Sequence, residues 1–389
     1  MGRPGLQPSR CARQSGGRVG GPEVDPPPHF RHKTLMPKSH GLRILIATVR
    51  VPFVQGGAEI HAEGLRRALR EAGHQAEIIA IPFKWYPPER ILDQMLACRL
   101  LDLSETFEVP VDRLIGLKFP AYLIPHPRKV IWMLHQHRQA YDLWQHPLND
   151  LHTYANGAEV RAAIHRADTE LIPQARGIFT ISRNVAFRMH AYCALNATPL
   201  YHPPQDADCF YTRPAEDFLY FPSRINPLKR QDLVLEALAR TRSKVKVCFS
   251  GPSAEPGFER KCGALAQESG FENRVEWLGA VSEEEKRDLY ARSLGVLFPP
   301  VDEDYGYITL EAMLARKPVI TCSDSGGPLE FVVHCQTGMV AEPTPEALAA
   351  AMDELWEDRR RAKQWGDEGR QRYDDLNISW GNVLERLLE

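Results

Sequence analysis

Short apolar runs of strand length recur along this chain, each followed by a longer stretch with apolar residues three and four positions apart, and the alternation runs twice with one interruption. RILIAT (43–48) is bounded by turn signals and reads as a buried strand. VPFVQGG follows as a loop. AEIHAEGLRRALREAGH then sets Ile60, Leu65 and Leu69 at helical spacing and stops at Gly73, and AEIIAI (76–81) is the next strand. Strand, loop, helix and strand make the unit of a parallel sheet, because parallel neighbours need a crossover between them. KVIWMLH (129–135) and GIFTIS (177–182) continue the strands, with AEVRAAIHRADTELIPQA (158–175) as a helix between them. Ser182 stands where it can cap the helix RNVAFRMHAY. Residues 82–127 are less clear; only the proline-led PPERILDQMLACRLLDL looks helical there.

YHPPQDADCFYTRPAED (201–217) has no period and is rich in Pro and Asp, so it reads as a linker. The alternation restarts with FLYFPS, and the strands KVKVCFSG, RVEWLG, GVLFPP and PVITC follow with helices between them. The acids of SEEEKRDLYARS suit a helix N-terminus. At 389 residues the chain is too long for one ordinary core. The expected fold is α/β, with two doubly wound Rossmann-like domains facing each other across a cleft: an N-terminal domain at 41–200, the linker at 201–217, a C-terminal domain at 218–375 and a last helix at 376–389. Residues 1–40 are rich in Gly, Pro and Arg without an apolar period; they read as a disordered or mis-called extension, with Met36 an alternative start.

Composition closes several routes. Formal net charge is −2 and no block is basic enough for nucleic acid. No apolar run approaches the roughly 20 residues that span a bilayer. The eight cysteines form no CxxC pair, so they read as reduced thiols of a cytoplasmic protein. Peripheral contact with the inner face of a membrane stays open. FKWYPP and LKFPAYLIPHPRK mix aromatics with cations and suit either a core or a lipid-linked acceptor.

In doubly wound sheets ligands sit beyond the carboxyl ends of the strands, and the chemistry-bearing residues cluster there. Arg224 closes FLYFPSR and Lys229 lies five residues on, a guanidinium and an ammonium suited to a diphosphate or to a solvated surface pair. Glu303 follows GVLFPP, and Glu311 lies in the next helix. Carboxylates accept from vicinal hydroxyls, so Glu303 suits a sugar ring and Glu311 a ribose; alternatively Glu303 joins Asp302 and Asp304 in a solvated acidic loop. Gly306 lets the backbone amides that open this helix, at Tyr307 and Ile308, approach a ligand. Gly56 and Gly57 permit close backbone approach after the first strand, where no GxGxxG stands to indicate a nicotinamide or flavin. His135 and His137 in LHQHR suit sugar hydroxyls; a metal lacks a third ligand nearby.

These segments together resemble the retaining GT-B glycosyltransferases of family 4, over most of residues 42–389. GGAEIHAEGLRRALREAGH is similar to that family's first loop and helix, FPSRINPLKRQDLVLEAL to its Arg…Lys segment, and EDYGYITLEAMLARKPVI to its Glu–seven residues–Glu signature, followed by GGPLEFV and TGMV. The resemblance implies transfer of a sugar from a UDP-, GDP- or ADP-sugar, with retained configuration and no metal or other cofactor. The acceptor is then a glycan or lipid-linked precursor of polysaccharide or cell-envelope material. It assigns the diphosphate to Arg224 and Lys229, the ribose to Glu311, the donor sugar to Glu303 and His135 with His137 as fallback, and the phosphates to Gly57 and its neighbour. Three departures stand out: PSR replaces the usual Gly-Arg, Arg230 replaces a common glycine, and YHPPQDADCF replaces the usual Asn-Gly-Val-Asp turn. A glycosidase using Glu303 and Glu311, a sugar-nucleotide epimerase, a phosphorylase and a non-catalytic sugar-nucleotide-binding protein of the same fold are the rival readings.

Overall fold

A computed structural model describes residues 41–389 apart from 54, 55, 148, 254 and 269. The expectation for residues 1–40 lies outside the described residues. The described residues belong to one compact unit built on two large sheets.

The first half runs β1 (Arg43–Arg50), α1 (Gly57–Glu71), β2 (Gln75–Pro82), α2 (Glu89–Leu100), the small hairpin β3 (Glu105–Thr106) and β4 (Val109–Pro110), β5 (Arg113–Gly116), β6 (Lys129–Met133), α3 (Gly157–Leu171), β7 (Gly177–Thr180), α4 (Arg183–Cys193) and β8 (Thr198–Pro199). Its parallel sheet has the order β2-β1-β5-β6-β7-β8. β1 pairs with β2 from Arg43↔Gln75 to Arg50↔Pro82 and with β5 from Ile44↔Arg113 to Ala47↔Gly116.

The second half runs β9 (Leu219–Pro222), α5 (Gln231–Leu238), β10 (Val247–Ser250), α6 (Pro256–Glu268), β11 (Val275–Trp277), α7 (Glu283–Arg292), β12 (Gly295–Leu297), α8 (Tyr307–Leu314), β13 (Val319–Cys322), β14 (Gly338–Ala341), α9 (Pro345–Glu357), α10 (Arg359–Asp375) and α11 (Trp380–Leu388). Its sheet order is β11-β10-β9-β12-β13-β14, again wholly parallel. The strand order reverses between β1 and β5 in one sheet and between β9 and β12 in the other, and crevices for ligands form at such points.

Local chemistry explains the helix starts. Ser182 accepts from the Val185 amide at 3.0 Å and opens α4, and Ser282 accepts from the Glu285 amide at 3.1 Å and opens α7, each satisfying a donor that a helix end leaves over. β5 lies inside the stretch that had no readable period. Its four residues RLIG are all buried, and a buried strand that opens on Arg113 and closes on Gly116 shows neither alternation nor an unbroken apolar run.

The two halves share packing. Tyr305, Leu310, Met313, Leu314 and Phe331 of the second half join the core beneath the first sheet, as do Val383, Leu384 and Leu387 of α11. Trp380 lies on α1 at Gly64, where a Cβ would come within 2.7 Å of the indole. Arg113 of β5 donates to the Leu387 and Leu388 carbonyls, both at 2.9 Å, and so holds the C-terminal end of α11. No described helix is long and apolar enough to cross a membrane.

Candidate active site

Three loops at the carboxyl end of the second sheet are tied together by their backbones. The Val301 amide donates to the Leu228 carbonyl at 2.8 Å, joining the loop after β12 to the turn after β9. The Asp302 and Glu303 amides donate to the Asp324 and Ser325 carbonyls at 2.9 Å, and the Gly327 amide donates back to the Glu303 carbonyl at 2.7 Å. This lacing brings Lys229 and Glu303 into an ion pair. The Lys229 ammonium also lies 5.5 Å from the centre of the Phe298 ring.

Arg224 follows β9 with an exposed side chain that makes no hydrogen bond or ion pair among the described residues. Its backbone is fixed instead. The Arg224 carbonyl accepts from Gln231 Nε2 at 2.9 Å. Gly251, at φ 132°, lets the end of β10 press in beside it, since a Cβ there would sit 2.3 Å from the Ser223 carbonyl oxygen. Arg230 occupies the left-handed region, φ 61°, where a side chain is strained and glycine is favoured. Its guanidinium forks onto Asp324 at 2.7 and 2.5 Å, which offsets that strain.

Gly306, at φ 91°, turns the chain into α8. The Tyr307 ring then lies 3.4 Å from the Cβ that Gly57 lacks, so the first turns of α1 and α8 meet from opposite halves with their amide dipoles toward one region. The Gly56 amide itself is satisfied by Glu59 Oε2 at 2.8 Å. Ile308 is half-buried against the second core. Glu311, the expected ribose acceptor, already has partners. It is 8 % exposed, accepts from the Tyr290 hydroxyl at 2.7 Å and pairs with Lys286 at 3.2 Å.

From the first half, His135 presents a defined tautomer. Its Nδ1 lies 2.6 Å from the Gln136 carbonyl oxygen; a carbonyl only accepts, so Nδ1 carries the hydrogen and a neutral ring leaves Nε2 as an acceptor. Burial lowers the His135 pKa, opposed by Asp304. His137 lies beside Phe119 and Phe83, ring centres 5.5 and 6.1 Å away. Burial pulls it down to about 3, and its Nε2 has no partner. Among the described residues no group of three or more His, Cys, Asp or Glu could hold a metal ion.

The acidic loop is not a solvated one. Burial would raise the Asp304 pKa, yet Arg188 and Arg138 hold it well below the usual carboxylate range. Arg188 reaches its Oδ1 at 2.5 Å and Arg138 at 3.7 Å. Asn184 Nδ2 donates to Asp302 Oδ1 at 2.7 Å and to the Glu303 carbonyl at 3.0 Å. Beside it, Glu330 of the second half accepts from the amides of Arg183 and Asn184 at 2.9 and 2.8 Å and from the Tyr201 hydroxyl at 2.6 Å. A carboxylate of one half thus caps helix α4 of the other.

Sequence reasoning missed these partners, and it missed Lys118. This lysine follows β5, at the first sheet's reversal point. Burial lowers its pKa, Glu59 and Asp304 oppose that, and Arg224 adds to it. Its ammonium makes no hydrogen bond or ion pair among the described residues. Recognising RLIG as a strand would have placed Lys118 by the same strand-end rule that selected Arg224.

Residues 212–372 match the family described as Glycosyl transferases group 1. Among curated proteins, the alpha-1,3/1,6-mannosyltransferase ALG2 of Dictyostelium discoideum is 39% identical over 110 residues, 28% of this chain and 26% of that protein. The O-antigen chain mannosyltransferase C of Escherichia coli is 27% identical over 164 residues, 41% of this chain and 43% of that protein. The matched stretches therefore span about a quarter and under half of these relatives' lengths. Among solved structures, Anabaena Alr3699/HepE in complex with UDP and glucose superposes with a TM-score of 0.65 at 17% identity, covering 90% of this chain and all of that one. The fold is GT-B.

Proposed function

We propose that this GT-B chain, whose residues 212–372 match the glycosyl transferases group 1 family, transfers a glycosyl unit, with retained configuration, from a nucleoside diphosphate sugar to a hydroxyl of a glycan or lipid-linked acceptor. The observation that carries this reading is the laced set of loops that sets Lys229 against Glu303, beside Arg224 and where α1 and α8 begin. Relatives named as mannosyltransferases, one of them of an O-antigen chain, support the acceptor class, and a neighbour in complex with UDP and glucose supports the donor class.

In this scheme the difficult event is loss of the nucleoside diphosphate. The bond from the anomeric carbon to the phosphate oxygen breaks, and negative charge grows on that oxygen while positive charge grows on the sugar ring. Arg224, Lys229 and the two helix N-termini stabilise the departing anion with cations and backbone dipoles. Binding of the donor requires Lys229 to exchange Glu303 for phosphate, which frees the carboxylate to accept from sugar hydroxyls. His135 Nε2 accepts from another. The acceptor oxygen bonds to the anomeric carbon on the face the phosphate leaves, and its proton passes to a phosphate oxygen, so charge balances with no metal in the scheme. Water must be kept out, since hydrolysis competes. Glu311, already held by Tyr290 and Lys286, serves the ribose only through lone pairs those bonds leave over. The same two bonds weigh against a glycosidase that needs it as a free acid or nucleophile.

The apolar surface supports a membrane-presented acceptor. Among the described residues every exposed large hydrophobic lies before residue 212, with Leu96 and Leu100 on α2 and Phe107 and Val109 at the hairpin beside it. The test is a thermal-shift and turnover screen with UDP-, GDP- and ADP-sugars in the presence of chelator. One nucleotide series should raise Tm by mass action, and its sugar should be consumed with the anomeric configuration kept in the product. Consumption of none of them, or an inverted product, overturns the reading.

A further inference from the structure

Lys118 stands two residues beyond β5, in a turn held from both sides. The Leu117 amide donates to the Ala47 carbonyl of β1 at 2.9 Å, and the Leu117 carbonyl accepts from the Leu134 amide, just past β6, at 3.0 Å. The Lys118 carbonyl accepts from the Tyr122 amide at 3.2 Å. Its chain neighbours Leu117 and Phe119 are both buried, so the backbone that carries this side chain is packed in place.

Its surroundings hold no acid set aside for it. The charged groups that bear on it come from both halves: Glu59 on α1, Asp304 after β12 and Arg224 after β9. Glu59 already accepts from the Gly56 amide, and Asp304 is held by Arg188 and Arg138. Glu303, the neighbour of Asp304, is paired with Lys229. Two other lysines are pulled down by burial, each to about 8, and each has found an acceptor. Lys129 Nζ lies 3.1 Å from the Tyr122 carbonyl oxygen, and Lys317 Nζ lies 3.2 Å from that of Arg213. The half-buried Lys118 has none among the described residues, and an ammonium taken from water without an acceptor is a costly group to keep.

Arg224 makes the case specific. It too lacks a partner among the described residues, and it belongs to the other half. Two unpaired cations that repel one another across the crevice leave a place for an anion, and that anion must offer oxygens in two directions. A diphosphate does so, with its charge spread over two phosphoryl groups. Lys118 also bears on His135 and His137, which sets its ammonium beside the groups proposed for the donor sugar. We propose that Lys118 is a third cation for the donor's diphosphate, reaching it from the first half while Arg224 and Lys229 hold it from the second. This inference rests on the donor reading above, and it adds a contact from the half that the family match leaves out. An anion gripped from both halves favours the arrangement in which they approach, so the leaving group itself helps to close the crevice, and its departure loosens it.

Calorimetric titration of the full chain with inorganic pyrophosphate tests it with neither base nor sugar specified. The native protein should bind. Lys118→Met, which keeps most of the stem and loses the charge, should weaken binding about tenfold or more, the scale of one hydrogen bond to a charged group. Its Tm should stay at or above native, because the change removes a cation that burial and Arg224 both disfavour. A merely structural lysine would instead lower Tm and leave the affinity alone. Lys118→Gln is read in the same way should Lys118→Met fail to fold. Arg224→Ala separates the two ideas: if it loses affinity while the Lys118 variants keep it, the donor reading stands and this inference falls. If the native protein binds no pyrophosphate, the inference falls as well, and the nucleotide-sugar screen decides the donor reading by itself. A loss confined to turnover of a phosphate-bearing acceptor, with pyrophosphate affinity unchanged, moves the lysine to the acceptor and likewise overturns the proposal.

Discussion

The two halves bury their sheets alike and finish their surfaces differently. Each has a parallel sheet of six strands with one reversal point. Beyond the linker, no large hydrophobic side chain is exposed among the described residues, while before it Phe53, Leu96, Leu100 and Phe107 stand 60 % exposed or more. The family match covers the second half. On the proposed function, a half that handles one chemical fragment common to many reactions needs fixed loops, and the backbone lacing around Glu303 supplies them. A half that meets a varied partner needs surface to meet it with, and exposed apolar groups present on one half and absent from the other supply it.

The sharpest test removes the free guanidinium of the second half. Arg224→Ala is expected to cut kcat/KM by ~10²–10³ with every acceptor tried, the scale of losing one donor to a developing anion. A loss confined to one acceptor would break the comparison. Next, Leu100→Glu with Phe107→Glu should lower turnover of a vesicle-borne acceptor by ~10-fold or more, because each buried apolar side chain is worth ~1.5–3 kcal/mol. Donor binding, read by nucleotide-induced thermal shift, should stay as it was. Third, Glu330→Gln should cost about 1 kcal/mol in urea unfolding through the weakened cap on α4. Because that cap joins the halves, kcat should fall severalfold with it; a change in stability alone would mean the cap does not set the catalytic loop.

The smallest effect is in pH, and its sign differs between the halves. Asp304 has its folded pKa held below the unfolded value of ~3.9, so its contribution is present above that pH and is lost as pH falls further. Asp168 of the first half goes the other way. Burial raises it to about 6, despite hydrogen bonds from Tyr141, Tyr122 and Gln136. The folded state then binds the extra proton, and stability declines as pH rises from ~4 to ~6. Chemical unfolding across pH should lose the low slope in Asp304→Asn and the higher one in Asp168→Asn.

The long apolar runs and helical spacings were legible as α/β alternation, and the strand-end rule led to Arg224, Lys229 and Glu303. β5, β8 and β14 were not read as strands: RLIG opens on Arg113 and closes on Gly116, TP is two residues and GMVA opens on a glycine, whereas the equally short β12 lies in the unbroken apolar run GVLFPP. With β5 went Lys118. The clamp on the acidic loop was illegible for another reason. Glu330 meets the amides of Arg183 and Asn184 across 147 and 146 residues, and Asp302 and Asp304 read as solvated acids until their partners from α4 and Arg138 come into contact. Sequence carries the period of an element well and carries the neighbours of its ends hardly at all.

The chain crosses from one sheet to the other after Leu200 and returns before Trp380, and the two passages lie side by side, with the His202 and Trp380 rings 5.9 Å apart. A body hung from one thread can spin; one hung from two adjacent threads swings instead, about a short axis through both. Displacement in such a swing grows with distance from the axis. Residues at the pivot can keep their neighbours through the whole stroke, and the far lip of the crevice travels farthest for the same few degrees.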